Sequence, residues 1–285
     1  MSKKSNMYVH FLITRFNLRK DDWLISKKNK IVLTDEWHKN RFELFDDYCF
    51  PSVCSQTNQN FQWLVFFDTT TPQKYKEHIT TLEAKMNNFK PIFVDSMEAF
   101  LPSIKSYIEN YNEDYLITSR IDNDDCISKH YIDEIQKRFN NQDYLALDYI
   151  NGYTIQTSPS IKIGKRLDQY NPFITLIEKN ENPKTVWHMR HSHWKKEKNI
   201  IQLKDIKIWT SIIHEENKVN EFLGYGKVSL VDYFKDFEIS NQKKEMLLKD
   251  KIPQSKWRLQ SFFNLCSSFW NLSYKNLKKS IGLYK

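Results

Sequence analysis

With 285 residues, 40% of them hydrophobic and 15% aromatic, the chain has ample apolar area for one large folded domain or two small ones, which argues against an intrinsically disordered protein. Its 5 glycines form neither a G-x-G-x-x-G turn nor a P-loop, so any bound phosphate must be held by side chains and metal rather than by a backbone cradle. The net charge of +8 is uneven: residues 1–240 carry 33 Lys+Arg against 33 Asp+Glu and residues 241–285 carry 10 against 2. A balanced body with a basic tail is unlike the uniformly basic surface of a nucleic-acid binder, and no nucleic-acid partner is expected.

In chain order, Met7–Thr14 is an apolar run that reads as a first strand; it is too short, and too interrupted by His10, for a secretory leader. Glu36–Cys49 places Trp37, Phe42, Phe45 and Cys49 at helical spacing, with Pro51 as the expected stop. Phe61–Phe67 is strand-like and ends in Asp68, followed by a Thr-Thr-Thr-Pro turn. Gln73–Met86 reads as helix, Lys90–Val94 as strand, Met97–Tyr111 as helix and Tyr115–Ile121 as strand. Lys129–Phe139 is the next helix, with Ser128 as N-cap. This βαβ alternation predicts an α/β fold, a mostly parallel sheet covered on both faces, with ligands beyond the carboxyl ends of its strands. Three polar strand ends then converge on one edge: Thr14-Arg15-Phe16-Asn17, Asp68-Thr69-Thr70, and Asp122-Asn123-Asp124-Asp125.

The second half is less regular. Tyr144–Tyr149 and Gly152–Thr157 read as strands joined by an Asn151-Gly152 turn. Phe173–Ile177 is apolar, and Asp205–His214 fits strand or helix. Val186–Trp194 sets three histidines between two tryptophans. From Lys256 to Lys279 an amphipathic pattern brings Leu259, Phe262, Phe263, Cys266, Phe269, Trp270 and Leu277 to one helical face flanked by lysines. Such a helix suits an anionic membrane surface; the plainer alternative is a terminal helix docked on the core. The four cysteines form no C-x-x-C pair and read as reduced thiols.

Chemistry concentrates at Asp122, Asp124 and Asp125. If the strand stayed extended, Asp122 and Asp124 would share a side and Asp125 would point across. Carboxylates that close stay ionised only when something neutralises them. Mg²⁺ or Mn²⁺ is the natural candidate, held by one or two carboxylates together with substrate phosphates. Arg120 either clamps a phosphate or pairs with Asp122. His191 and His193, on one side of an extended segment, either complete the metal shell, bind an acceptor or are plain loop residues.

The run Arg120-Ile121-Asp122-Asn123-Asp124-Asp125 resembles the D-x-D signature of nucleotide-sugar glycosyltransferases with the GT-A fold. Thr14-Arg15-Phe16-Asn17, Arg41 with Leu44-Phe45, Tyr48-Cys49-Phe50-Pro51-Ser52-Val53, the strand Phe61 to Asp68 and Gly152-Tyr153 resemble the putative rhamnosyltransferase family. The resemblance implies a Rossmann-like sheet and a nucleotide-diphosphate sugar donor. It places Thr14, Arg15, Asn17, Asp68, Arg120 and Asp122 at the donor. It makes Asp124 the principal metal ligand, assisted by Asp122 and Asp125. An inverting enzyme would also need a carboxylate base, for which Asp148, Asp168 and Asp205 are candidates. The implied organisation is a domain over 1–240, with a donor half at about 7–150 and an acceptor half at about 151–240, followed by a basic tail over 241–285. The implied setting is bacterial surface polysaccharide synthesis, peripheral on the cytoplasmic face of the inner membrane, with a glycan or lipid-linked glycan as acceptor. The rivals are a metal-dependent phosphodiesterase or nuclease, and a nucleic-acid-binding protein using the aromatic, basic tail.

Overall fold

A computed structural model describes residues 7–20, 33–215 and 221–284. Its frame is a seven-stranded sheet in the order β10-β6-β9-β4-β1-β2-β3. The strands are β1 (Tyr8–Arg15), β2 (Gln62–Asp68), β3 (Phe89–Val94), β4 (Tyr115–Arg120), β6 (Tyr144–Tyr149), β9 (Thr175–Lys179) and β10 (Ile200–Leu203). β1 pairs in parallel with both β2 and β4, and β2 with β3. The carboxyl ends of β1, β2 and β4 therefore lie on one edge, as the sequence predicts. Burial on both faces explains the near-continuous apolar runs of these strands. Leu12, Trp63, Val65 and Phe67 pack on one side, while Phe11, Ile13, Leu64 and Phe66 pack on the other.

The helices follow the predicted pattern with local differences. α1 (Asp35–Leu44) is capped by Thr34, whose hydroxyl accepts from the Trp37 amide. It does not stop before Pro51. A π-helical turn over Phe45–Cys49 leads into α2 (Phe50–Cys54), where Pro51 stands in the first turn and no helical N–H is missed. α3 (Gln73–Lys85) and α4 (Phe100–Ile108) lie where expected. α5 (Tyr131–Gln136) begins later than the sequence suggests, at His130; the Ser128 hydroxyl instead accepts from the His130 amide.

Two features of the second half depart from expectation. β9, the apolar run around Phe173–Ile177, runs antiparallel to its neighbours and inserts between β4 and β6. Nor is there a hairpin at Asn151-Gly152. Both residues belong to β7 (Asn151–Gln156), in a separate four-stranded sheet of order β5-β11-β7-β8 with β5 (Cys126–Ile127), β8 (Lys162–Leu167) and β11 (Trp209–Ile213). Gly152 is needed there for space: a Cβ on it would lie 2.3 Å from the Trp209 ring. That indole stacks on Phe173 at 5.0 Å and donates its N–H to the Tyr149 carbonyl.

Two short helices, α6 (Leu230–Asp236) and α7 (Asn241–Asp250), close this second sheet, with Leu230, Tyr233, Phe237 and Leu247 buried against Ile155 and Ile212. The tail is one long helix, α8 (Arg258–Ser280). Among the described residues no helix is long and apolar enough to cross a membrane.

Candidate active site

The acidic segment does not continue the strand. β4 ends at Arg120 and the backbone turns at Asn123–Asp124, so the alternation expected for Asp122, Asp124 and Asp125 is lost and each takes its own environment. The Asp122 carboxylate is partly exposed, 3.7 Å from the Arg120 guanidinium. Asn123 fixes the turn by donating to the Phe16 carbonyl at 3.1 Å. Asp125 is buried, and its Oδ1 accepts from the Ile212 amide of β11 at 2.9 Å. Burial, together with Asp124 and Asp122, pushes the Asp125 carboxyl well above the carboxylate range, and its bond to β11 anchors the turn.

Asp124 holds the centre. Its Oδ2 receives Arg41 Nη1 at 2.8 Å and His214 Nε2 at 2.9 Å. Burial opposes its charge, but Arg41 and then His214 outweigh it and hold the carboxyl well below the usual range. Arg41 comes from α1, also reaches Asn123 Oδ1 at 3.3 Å, and lies over the Trp37 ring. The π-turn packs beneath, where the Cys49 thiol faces the Asp122 carbonyl. His214 directly follows β11, so the second sheet delivers it across to the acidic turn. In the sequence His214 carries one signal only, a lone polar residue closing an apolar strand, the same pattern that marks Asp122.

The other predicted residues separate into two groups. Arg15 and Arg120 share the Trp187 ring, their guanidinium carbons 5.5 Å and 3.9 Å from its centroid. Burial lowers both arginines, Arg120 to about 10. Arg120 Nε and Trp187 Nε1 are buried donors with no acceptor among the described residues. Thr14, by contrast, points into the core and accepts from Trp63 Nε1 at 2.9 Å. Asn17 ties the loops together, donating to Thr71 at 2.9 Å and accepting from the Asp68 amide at 3.1 Å. Burial opposes ionisation of Asp68, but hydrogen bonds from Thr70 and Arg19 outweigh it and lower its carboxyl. Both Asp68 oxygens are thereby engaged within the loop.

The histidines of the Trp-flanked segment do not join the acidic turn. His191 Nδ1 meets the Tyr170 carbonyl at 2.9 Å, and His193 is exposed on a 3₁₀ turn. The carboxylates offered as a base are each engaged. Asp148 is fully buried, accepting from the Tyr170 amide at 2.8 Å and from Asn171, and burial raises its carboxyl to about 7. Asp168 pairs with Arg166 at 3.2 Å, and Asp205 with Arg138 at 3.2 Å on the surface.

Of the groups meeting here, the Asp124 carboxylate is the donor type that Mn²⁺ or Mg²⁺ prefers, while the His214 imidazole more often binds softer ions. Among the described residues no three His, Cys, Asp or Glu side chains gather closely enough to hold an ion alone.

Comparison with solved structures shows weak overall similarity. Staphylococcus aureus TarS 1–349 aligns at 12% identity with TM-score 0.42, over 72% of this chain and 60% of that one. The same protein in complex with UDP-GlcNAc aligns at 12% identity and TM-score 0.40, over 84% and 70%. The mannosyltransferase PcManGT from Pyrobaculum calidifontis, in complex with GDP-Man and Mn²⁺, aligns at 7% identity and TM-score 0.41, over 97% and 81%. In the first of these alignments the chain spans 60% of TarS 1–349, less than two thirds of its length. No curated protein matches the sequence. Residues 10–224, most of the chain, match the sequence model of the family described as "Putative rhamnosyl transferase"; the chain belongs to that family.

Proposed function

We propose that the protein transfers a hexosyl unit from a nucleotide-diphosphate sugar to a glycan or lipid-linked glycan acceptor. We place it at the cytoplasmic face of a membrane, in the synthesis of a bacterial surface polysaccharide. Rhamnose is the sugar suggested by the family's description. The observation that carries the reading is the buried Asp124 carboxylate at the end of the central strand, with two cationic or cation-like partners on one oxygen.

In this reading Asp124 and His214 would hold Mn²⁺ or Mg²⁺ beside the donor's phosphates, where such an ion would supply charge neutralisation for a departing nucleotide diphosphate. Arg41 pairs with the same Asp124 oxygen and donates to Asn123 Oδ1, steadying the turn. Arg15 and Arg120, stacked on Trp187, present N–H groups to the anionic part of the donor; the unpartnered Arg120 Nε and Trp187 Nε1 support that assignment. Asp122, the most open of the three acids, faces the same edge and receives a hydroxyl of the donor or a water on the ion. Asp125 and Asn123 act by positioning, because their hydrogen bonds fix the turn that aims Asp124.

The test is a thermal-shift series with nucleoside diphosphate sugars of different bases and sugars, each with and without Mn²⁺. A donor bound to the folded state raises the midpoint by mass action, and the rise should require both components. No shift with any donor would remove the reading. Release of nucleoside monophosphate and sugar phosphate without an acceptor would favour a phosphodiesterase instead.

A further inference from the structure

Helix α8 is docked with its polar side inward and its apolar side outward. On the inner face Ser261 and Ser268 are buried, at 5% and 8% exposure. The Ser261 hydroxyl accepts from the Gly226 amide at 2.8 Å, and Asn264 donates to the Phe222 and Gly224 carbonyls. Lys275 and Lys279 turn back to the Gln169 and Glu197 carbonyls. On the outer face Leu259, Phe263 and Trp270 are 71%, 66% and 73% exposed, and Phe262, Phe269 and Leu277 are more than half exposed. At 3.6 residues per turn these form one stripe, roughly 120° wide, along a helix about 35 Å long. A soluble protein rarely leaves a continuous apolar strip of that length in water.

We propose that this outer face of α8 lies in the interfacial layer of an anionic lipid membrane, with the helix axis in the membrane plane. Charge selects the occupant. Residues 251–285 contain Lys251, Lys256, Arg258, Lys275, Lys278, Lys279 and Lys285 and no Asp or Glu. Of those in α8, Arg258 and Lys278 fall on either side of the apolar strip at 3.6 residues per turn, while Lys275 and Lys279 face inward. A second copy of the chain packed on the stripe would set Arg258 and Lys278 against their own equivalents with no acid of the segment to pair them, whereas anionic headgroups complement both flanks.

The placement also bears on the acceptor. Lys275 and Lys279 stand over Tyr170 at 5.9 Å and 5.8 Å, and the Tyr170 amide donates to Asp148 near the end of β6. β6 and β4 both run antiparallel to β9, so they are parallel to each other. The carboxyl-terminal half of α8 thus lies at the sheet edge that carries the acidic turn. A membrane-seated α8 brings that edge to the lipid surface, where an acceptor on a lipid carrier would enter from the side. This last step rests on the proposed function; the membrane contact does not.

The decisive measurement is co-sedimentation of the full chain with vesicles of phosphatidylcholine alone and of phosphatidylcholine with about one third phosphatidylglycerol, at low and high salt. Binding is expected to the anionic vesicles only and to weaken with salt. The exposed-face variant Phe263→Glu with Trp270→Glu should lose at least about tenfold in partition while keeping its melting temperature. Lys256→Gln and Arg258→Gln should each cost up to about fivefold. Wild-type protein left in the supernatant of anionic vesicles overturns the proposal. So does a wild-type dimer that Phe263→Glu with Trp270→Glu converts to monomer. Should that variant fail to fold, the lipid and salt dependence of the wild type still decides. Donor binding is read separately by thermal shift, so loss of either function is distinguishable from loss of the other.

Discussion

Asp124 and Asp125 are adjacent acids with opposite electrostatics, and the same substitution should separate them. At neutral pH Asp124 is ionised and paired, with 12% of its side chain exposed against 13% for Arg41. Removing one partner of a buried ion pair costs about 3–5 kcal/mol. Asp124→Asn keeps an acceptor oxygen and Arg41 keeps Asn123 Oδ1, so the lower end applies, about 3 kcal/mol. For a chain of this length that is a fall of about 5 °C in melting temperature. Asp125→Asn, in contrast, puts a neutral amide where burial and the acidic neighbours already oppose ionisation of the carboxyl. The amide oxygen can still accept from the Ile212 N–H. Its melting temperature should stay within about 2 °C of wild type. Scanning calorimetry reads both, and the donor-plus-Mn²⁺ thermal shift reads the site: Asp124→Asn should abolish the shift and Asp125→Asn should retain it. Equal losses in both variants, or an undiminished shift in Asp124→Asn, would refute the division of roles.

His214→Ala should raise the Mn²⁺ concentration for half-maximal donor binding by about 10- to 100-fold, whereas His191→Ala and His193→Ala should leave the titration unaltered. Arg120→Met should weaken donor affinity by at least about tenfold, since it removes a charge-assisted donor; an unchanged titration would detach the Trp187 cluster from the donor. Gly152→Ala should destabilise by more than an ordinary strand substitution, because its new methyl meets the Trp209 ring; the melting temperature reads this directly. The pH dependence of stability should show His10. Burial lowers its folded pKa from 6.5 to about 3, so the unfolded chain takes up a proton that the folded chain refuses. Stability is therefore full above pH 6.5 and falls by up to about 1.4 kcal/mol per pH unit below it. Asp124 adds its loss only below about pH 4, where the unfolded carboxyl protonates. His10→Gln should flatten the limb between these values.

The first half of the molecule was legible in its sequence because parallel strands buried on both faces write themselves as short apolar runs with polar ends. Tyr115–Ile121 and Phe61–Phe67 show this within a residue of the observed strands. What escaped depends on partners far along the chain. Phe173–Ile177 reads as apolar, but nothing in it says that it will slot between β4 and β6. His214 meets Asp124 across 90 residues, and only the second sheet brings them together. Gly152 looks like a turn residue until the Trp209 ring is seen over it. In α8 the period was plain and the face was not, since spacing shows that an apolar stripe exists and not which side of the helix the protein binds.

The insertion of β9 has a practical bearing on attempts to re-engineer this protein. A segment from the later half of the chain supplies hydrogen bonds to both β4 and β6 over five and four residue pairs, so the central sheet is laced together from both halves. A chimera that grafts foreign residues downstream of β7 onto the first half would strip β4 of one of its two neighbours and leave a hydrophobic edge open to sticking.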